Sequence, residues 1–248
     1  MSDSSDLIFG KNPVIELLTK SPERVSKIYV RNTLSGSLRQ NINSICSVNK
    51  IPVSVVPGKK LYDLVGGVND QGVVAECSPV SYTDYFEWIE TVDLNAQPLV
   101  FILDELEDPH NLGAILRSAA AFNIAGVIVP KHKQAPISAA VIKTSAGTAG
   151  RVPIIRVTNT NQTIDDLKEK HFWIAGLESD AEKSVWEEDF KTPVAVILGS
   201  EGSGLRPSTK AHCDYLLSVP MGPKAESLNV SVTAGIVGSA YFNRIQSQ

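Results

Sequence analysis

Three short stretches hold residues of the kinds that catalysis uses: DPHNLGAILRSAAAF (108–122), ILGSEGSGLRP (197–207) and GPKAESLNVSVTAG (222–235). In the first, Leu112, Ile115, Leu116, Ala119 and Phe122 recur at helical spacing, and Asn111 is placed to cap. Gly113 and Arg117 lie four apart and share a face. A glycine costs a helix about 1 kcal/mol relative to alanine. It is understandable here if it clears space below Arg117 for a bulky anion, or if a second helix packs tightly at Gly113. In the second stretch, Gly199 and Gly204 have the outer spacing of a phosphate-binding P-loop, but Leu205-Arg206 stands where Lys-Ser/Thr is required. What remains is a flexible loop holding one carboxylate, Glu201, among glycines that allow close backbone approach to a ligand. In the third, Ser227 is placed to cap a helix starting near Leu228. Asn229 in its first turn points toward whatever the loops bind. Ser231, Gly235 and Ser239 then recur every fourth residue, a small-residue face suited to close approach by another segment.

Each stretch begins at or just beyond an apolar run. Such runs occur at 98–104, 126–130, 152–157, 172–177, 193–199 and 215–220, most of them separated by helical stretches. Near-continuous apolar strands alternating with helices predict a parallel sheet covered on both faces, with ligands at the carboxyl ends of the strands. Residues 1–80 read as a smaller α/β unit: Asn12-Pro13 opens a helix, a second helix covers 36–49, and strands are expected at 25–30, 52–56 and 72–77. Residues 81–97 read as a linker with two helical turns, and 98–248 as the second domain.

The composition, 43% hydrophobic and 20% charged, is that of an ordinary soluble protein. There is no 18-residue apolar run and no secretory signal, so the cytoplasm is the expected compartment and no membrane contact is expected. The three cysteines are far apart, without a CxxC pair or Cys/His cluster, which argues for packing rather than metal or disulfide roles. The net charge of −4 is unevenly spread. From Arg24 to Lys60 there is no acid, and from Pro109 to Ile164 again none. A chain segregated in this way can present a basic face to phosphates despite its negative total.

Taken in order, NLGAILR, GSEGSGL and VPMGPKAESLNVSV resemble the three motifs of the SpoU branch of the SPOUT RNA methyltransferases, over 98–248. Residues 1–80 are similar to the RNA-binding domain, related to a ribosomal-protein fold, that precedes it in many members. SAGTAGRVPIIRVTN (145–159) is similar to the subgroup that methylates a guanosine 2′-hydroxyl in 23S ribosomal RNA. The resemblance implies an α/β parallel-sheet domain with a deep trefoil knot, S-adenosyl-L-methionine bound at the knot in a bent shape, and a homodimer in which knots pack together. Carried over residue by residue, it implies cofactor contacts near Leu177, Gly199, Val219, Met221 and Leu228. It also implies catalytic positions at Arg117, Glu201, Ser227 and Asn229, and no metal.

RNA contacts are expected from Asn111 and from Arg24, Lys27, Arg31 and Arg39. In the family a matching Arg has been proposed as the base. The residue type equally suits a clamp on the substrate phosphate. Two rival readings are a transfer-RNA 2′-O-methyltransferase of the same fold and a non-catalytic RNA-binding assembly factor. The separate N-terminal domain argues against the first, and the filled catalytic positions against the second.

Overall fold

From residue 98 onward the apolar runs become strands, and those at 99–103, 126–130 and 194–198 are buried on both faces. The structure, a computed structural model, describes residues 6–77, 80–200 and 204–247. The chain divides into two compact units at Ser81/Tyr82, with Pro136–Ala140 grouping with the first.

In the first unit the elements are β1 (Asp6–Phe9), α1 (Lys11–Lys20), β2 (Val25–Arg31), α2 (Ser37–Val48), β3 (Val53–Val56), α3 (Gly58–Leu64) and β4 (Val73–Cys77). The sheet order is β1-β4-β2-β3, with β2 and β3 parallel and the other pairs antiparallel. Its core includes Val14, Leu18, Ile28, Val30, Ile42 and Cys46. The expected helix opening at Asn12-Pro13 is corrected. The helix starts at Lys11 and Gly10 precedes it at φ 95, a backbone conformation that suits glycine. The Lys11 N–H is already satisfied by Gln71 Oε1 at 3.0 Å. Strand β1 and helix α3 had no counterpart in the sequence reading.

In the second unit, α4 (Tyr85–Thr91) comes first, followed by β5 (Leu99–Leu103), α5 (Pro109–Ala121), β6 (Gly126–Pro130), α6 (Ala139–Thr144), β7 (Ile154–Val157) and α7 (Thr160–Glu169). Then come β8 (Trp173–Leu177), β9 (Val194–Leu198), α8 (Pro207–Lys210), β10 (Tyr215–Leu217) and α9 (Val230–Gln246). Six strands form one parallel sheet in the order β10-β8-β9-β5-β6-β7. Every residue of β5, β6 and β9 is buried, as a doubly covered sheet demands. The stretch 81–97 contributes to this core. Tyr85, Trp88 and Ile89 pack with Val100, Ile128 and Ile155, and Trp88 Nε1 donates to Ala125 O at 3.1 Å. Among the described residues no helix is long and apolar enough to cross a membrane.

Cys46 and Cys213 serve packing. Burial pushes both thiols up to about 11, and for Cys213 Lys168 only partly opposes that rise. At pH 7 a thiol of that acidity is ionised to about one part in ten thousand. Iodoacetamide should therefore leave both unlabelled in the native protein on a timescale that fully alkylates free cysteine. Mass spectrometry of native and denatured samples checks this. Rapid native labelling at either position would contradict the raised thiol pKa expected for buried Cys46 and half-buried Cys213.

Candidate functional site

Strands β8, β9 and β10 end side by side, and a cavity of about 630 Å³ opens at their carboxyl ends. Leu177, Leu198 and Leu217, the last residues of the three strands, form an apolar part of its wall. Gly199 continues β9 into the following loop. A Cβ there would strike the Gly204 carbonyl, 2.5 Å from its oxygen and 2.7 Å from Leu205 N. Gly204 and Leu205 are therefore held tightly against the end of β9. Ser200 and Gly204 exchange backbone hydrogen bonds, each 3.1 Å, and Gly204 takes φ +64. Beyond it, Arg206 is tied to the end of β5. Its Nε lies 2.8 Å and its Nη2 2.6 Å from Asp104 Oδ1, its Nη1 3.0 Å from Glu105 Oε1, and its N–H donates to Asp104 Oδ2 at 3.2 Å. Asp104 is fully buried, so without Arg206 its charge would be desolvated and uncompensated.

The start of α9 forms the opposite wall. The structure corrects the expected cap. Asn229, not Ser227, closes this helix, its Oδ1 accepting from Ser231 N at 2.9 Å and from Ser231 Oγ at 2.6 Å. The first helical hydrogen bond runs from Thr233 N to Asn229 O at 3.0 Å, which leaves Ser227 in the cavity wall ahead of the helix. The same Asn229 donates through Nδ2 to Asn111 Oδ1 at 2.9 Å. Asn111 in turn donates to Asp108 Oδ2 at 3.0 Å. Asp108, not Asn111, caps α5, accepting from His110 N at 2.8 Å, with Pro109 in the first helical turn. This side-chain relay joins the starts of α5 and α9 through two asparagines 118 residues apart.

The structure thus gathers Leu177, Gly199, Val219, Met221, Ser227, Leu228 and Asn229 around one cavity. Glu201 lies outside the described residues. Arg117 does not line the cavity. It is exposed, six residues beyond Asn111, or about 9 Å along the helix. Among the described residues it has no ion-pair or hydrogen-bond partner. The notion that Gly113 clears space for an anion is corrected. A Cβ on it would meet Thr144 Cβ at 2.7 Å and Val141 O at 2.8 Å, so this glycine lets α6 pack against α5. In the first unit Arg31 is engaged inside the fold. It pairs with buried Asp70 at 2.8 and 3.0 Å, and Asp70 also accepts from Gly72 N. Lys27 lies over the Tyr29 ring, while Arg24 and Arg39 are half-buried. Cavity residues absent from the sequence reading include Glu178, Ser200 and Thr233. Glu178 carries a usable signal, a charge immediately after an apolar strand.

The cavity fits an adenosyl cofactor. Its volume lies in the range of small-molecule sites, its wall joins leucines to a few polar groups, and Gly199 brings main chain to its edge where a Cβ could not stand. Among the described residues no three His, Cys, Asp or Glu side chains form a group that could hold a metal ion.

Comparison with known proteins adds the following. Residues 98–239 match the model of the SpoU rRNA Methylase family. Residues 7–83 match that of RNA 2′-O ribose methyltransferase substrate binding. The chain is 39% identical to the 23S rRNA (guanosine-2′-O-)-methyltransferase RlmB of Xylella fastidiosa, covering 95% of each chain. It is 37% identical to RlmB of Vibrio vulnificus, over 99% of this chain and 100% of the relative. It is 38% identical to a putative TrmH family tRNA/rRNA methyltransferase, YacO, of Bacillus subtilis, over 96% and 95%. Among solved structures, the SpoU methyltransferase AviRb of Streptomyces viridochromogenes, in complex with AdoMet, superposes with a TM-score of 0.62. It is 23% identical and the match covers 98% of this chain and 91% of that one, a likeness of fold.

Proposed function

The chain belongs to the SpoU rRNA methylase family, and we propose that it transfers a methyl group from S-adenosyl-L-methionine to a ribose 2′-hydroxyl of a guanosine in 23S ribosomal RNA. The observation that carries this reading is the meeting of three separate sequence stretches at one cavity, with Asn229 shared between the cavity wall and the start of α5. S-adenosylmethionine, when bound, supplies an electrophilic methyl group on a sulfonium. The chain's own residues do the rest. Gly199, Met221, Val219 and Leu228 shape the cofactor's seat. Asn229 and Asn111, locked by their mutual hydrogen bond, orient the acceptor beside it, with Ser227 in the cavity wall; Glu201 is a further catalytic candidate from the family resemblance. A ribose hydroxyl is a weak acid, so charge growing on its oxygen needs a stabilising cation, and positioning supplies the remainder. Arg117 takes that part.

The division of labour follows. Residues 1–80 grip RNA, with Arg24, Lys27 and Arg39 as phosphate contacts. Residues 98–248 carry the reaction, and residues 81–97 join the two while packing Trp88 into the second core. We infer that the working form is a homodimer. Arg117 is exposed without a partner among the described residues. The face of α9 bearing Ser231, Gly235 and Ser239 is uncovered enough that a Cβ on Gly235 would meet only Ser118 Oγ, at 3.5 Å. Leu228 and Val232 are exposed apolar residues at the same helix start. A second copy would cover all of these. The trefoil knot belongs to the same reading, as does work in the cytoplasm, where the RNA is.

Mapping 2′-O-methylation across all RNA in a strain lacking the protein tests the function. The expected result is loss of one guanosine methylation in 23S RNA, restored by the wild-type chain. Loss confined to transfer RNA would replace this substrate with the one that the Bacillus relative's name also admits. Unchanged methylation everywhere would refute the enzymatic reading.

A further inference from the structure

Glu178 is the first residue after β8, and its backbone N–H donates to Leu217 O at 3.0 Å, which holds it in line with the sheet. Its side chain faces the cavity and is only 21% exposed. Among the described residues the cation paired with it is Lys210, whose Nζ stands 3.6 Å from Oε2, too far for a good hydrogen bond. Among the described residues its carboxylate accepts no hydrogen bond. Gly204 lies beside it: a Cβ built there would be in ordinary van der Waals contact with Glu178 Oε1, at 3.9 Å. A carboxylate withdrawn this far from water, with its donors missing, is costly unless something else donates to it.

We propose that Glu178 is a cofactor-binding residue that accepts hydrogen bonds from the two ribose hydroxyls of the adenosyl group. This deepens the methyltransferase reading and rests on it. The nearby lysine offsets part of the carboxylate's charge, so the site lacks donors more than it lacks a cation. A vicinal diol offers two O–H donors spaced for two carboxylate oxygens and brings no charge of its own. An acidic residue beyond a strand end in dinucleotide-binding sheets holds ribose in the same manner. The alternative donor on such a ligand is the ammonium of its amino-acid end, and the experiment separates the two.

Calorimetry on the full-length protein would use three probes: S-adenosylhomocysteine, its 2′,3′-dideoxy analogue, and 5′-methylthioadenosine, which keeps the ribose and lacks the ammonium. Two hydrogen bonds to a charged group of the usual strength predict a loss of at least about 100-fold in wild-type affinity on removing the two hydroxyls. Glu178→Ala should weaken S-adenosylhomocysteine and 5′-methylthioadenosine by a similar factor, yet bind the dideoxy analogue as wild type does. Glu178→Gln, which keeps one acceptor oxygen and the side chain's shape, should fall between. Equal weakening of all three probes in Glu178→Ala would overturn the assignment, since that marks a change of cavity shape. Weakening that spares 5′-methylthioadenosine would assign Glu178 to the ammonium instead. A wild-type chain that binds none of the probes would remove the cofactor reading itself, and this assignment with it.

Discussion

Gly199→Ala should abolish cofactor binding, raising the dissociation constant for S-adenosylhomocysteine by at least about 100-fold. The cause is steric and local. The new Cβ would fall on the Gly204 carbonyl and 2.7 Å from Leu205 N, and both neighbours are backbone. A flexible side chain could swing away, but backbone cannot move without breaking the paired Ser200–Gly204 hydrogen bonds or dragging Arg206 from buried Asp104. Forcing even one methyl into a closed site costs about 1–3 kcal/mol, and opening this loop removes part of the ligand's seat as well. Gly222→Ala is the matched contrast. Nothing lies within 4 Å of a Cβ at that position, so its affinity should stay near wild type. Calorimetry and a thermal melt on both variants decide the matter. Gly199→Ala binding within threefold of wild type would show that the loop opens easily and that the tight closure is not part of the site.

Arg117→Ala should lower the methylation rate by at least about a thousandfold, with cofactor affinity held within a few fold, because it removes a cation from the reacting oxygen and leaves the cavity intact. Arg117→Lys should be nearly as damaging, since the ammonium keeps the charge and loses the two-pronged donor geometry. The position of the residue adds a sharper test. Arg117 is exposed and is not part of its own chain's cavity wall, and we propose that in the dimer it serves the partner's cavity. Arg117→Ala and Gly199→Ala chains are each inactive alone. Co-expressed and paired at random in a two-fold dimer, they should recover about a quarter of wild-type activity, because one site in each mixed dimer has an intact cavity and an intact arginine. A co-expressed mixture as inactive as its parents would place Arg117 at its own chain's cavity, after a movement. Full activity in Arg117→Ala would remove it from the mechanism and leave Glu201 and Asn229 to be tested next.

Much of the second unit was legible along the chain. Its sheet is parallel and covered on both faces, so 99–103, 126–130 and 194–198 are unbroken apolar runs that no amphipathic helix would tolerate. The three polar stretches stood out because each interrupts such a pattern at the point where a strand ends. Gly199 and Asn229 stood out by position and residue type, whereas Met221 was expected only from the family resemblance; all three line the cavity. The rest depended on partners remote in sequence. Ser227 and Asn229 are both good capping residues, and only the packing of α9 decided where its first hydrogen bond forms. Gly113 has the same identity whether it admits an anion or a helix. The structure decides for a helix through Thr144, 31 residues on. Arg31 looked like one more member of a basic stretch until Asp70, 39 residues away, proved to hold it. Trp88, in an apparent linker, is a core residue because the Ala125 carbonyl and the bare Gly126 lie where the folded chain brings them. Glu178 differs in kind. Its charge after a strand is visible in the sequence, but its missing donors appear only once the sheet edge, Lys210 and the glycine loop are in place. Periodicity and residue type report what a segment buries locally, whereas caps, close approaches and unsatisfied charges are set by contacts that exist only after folding.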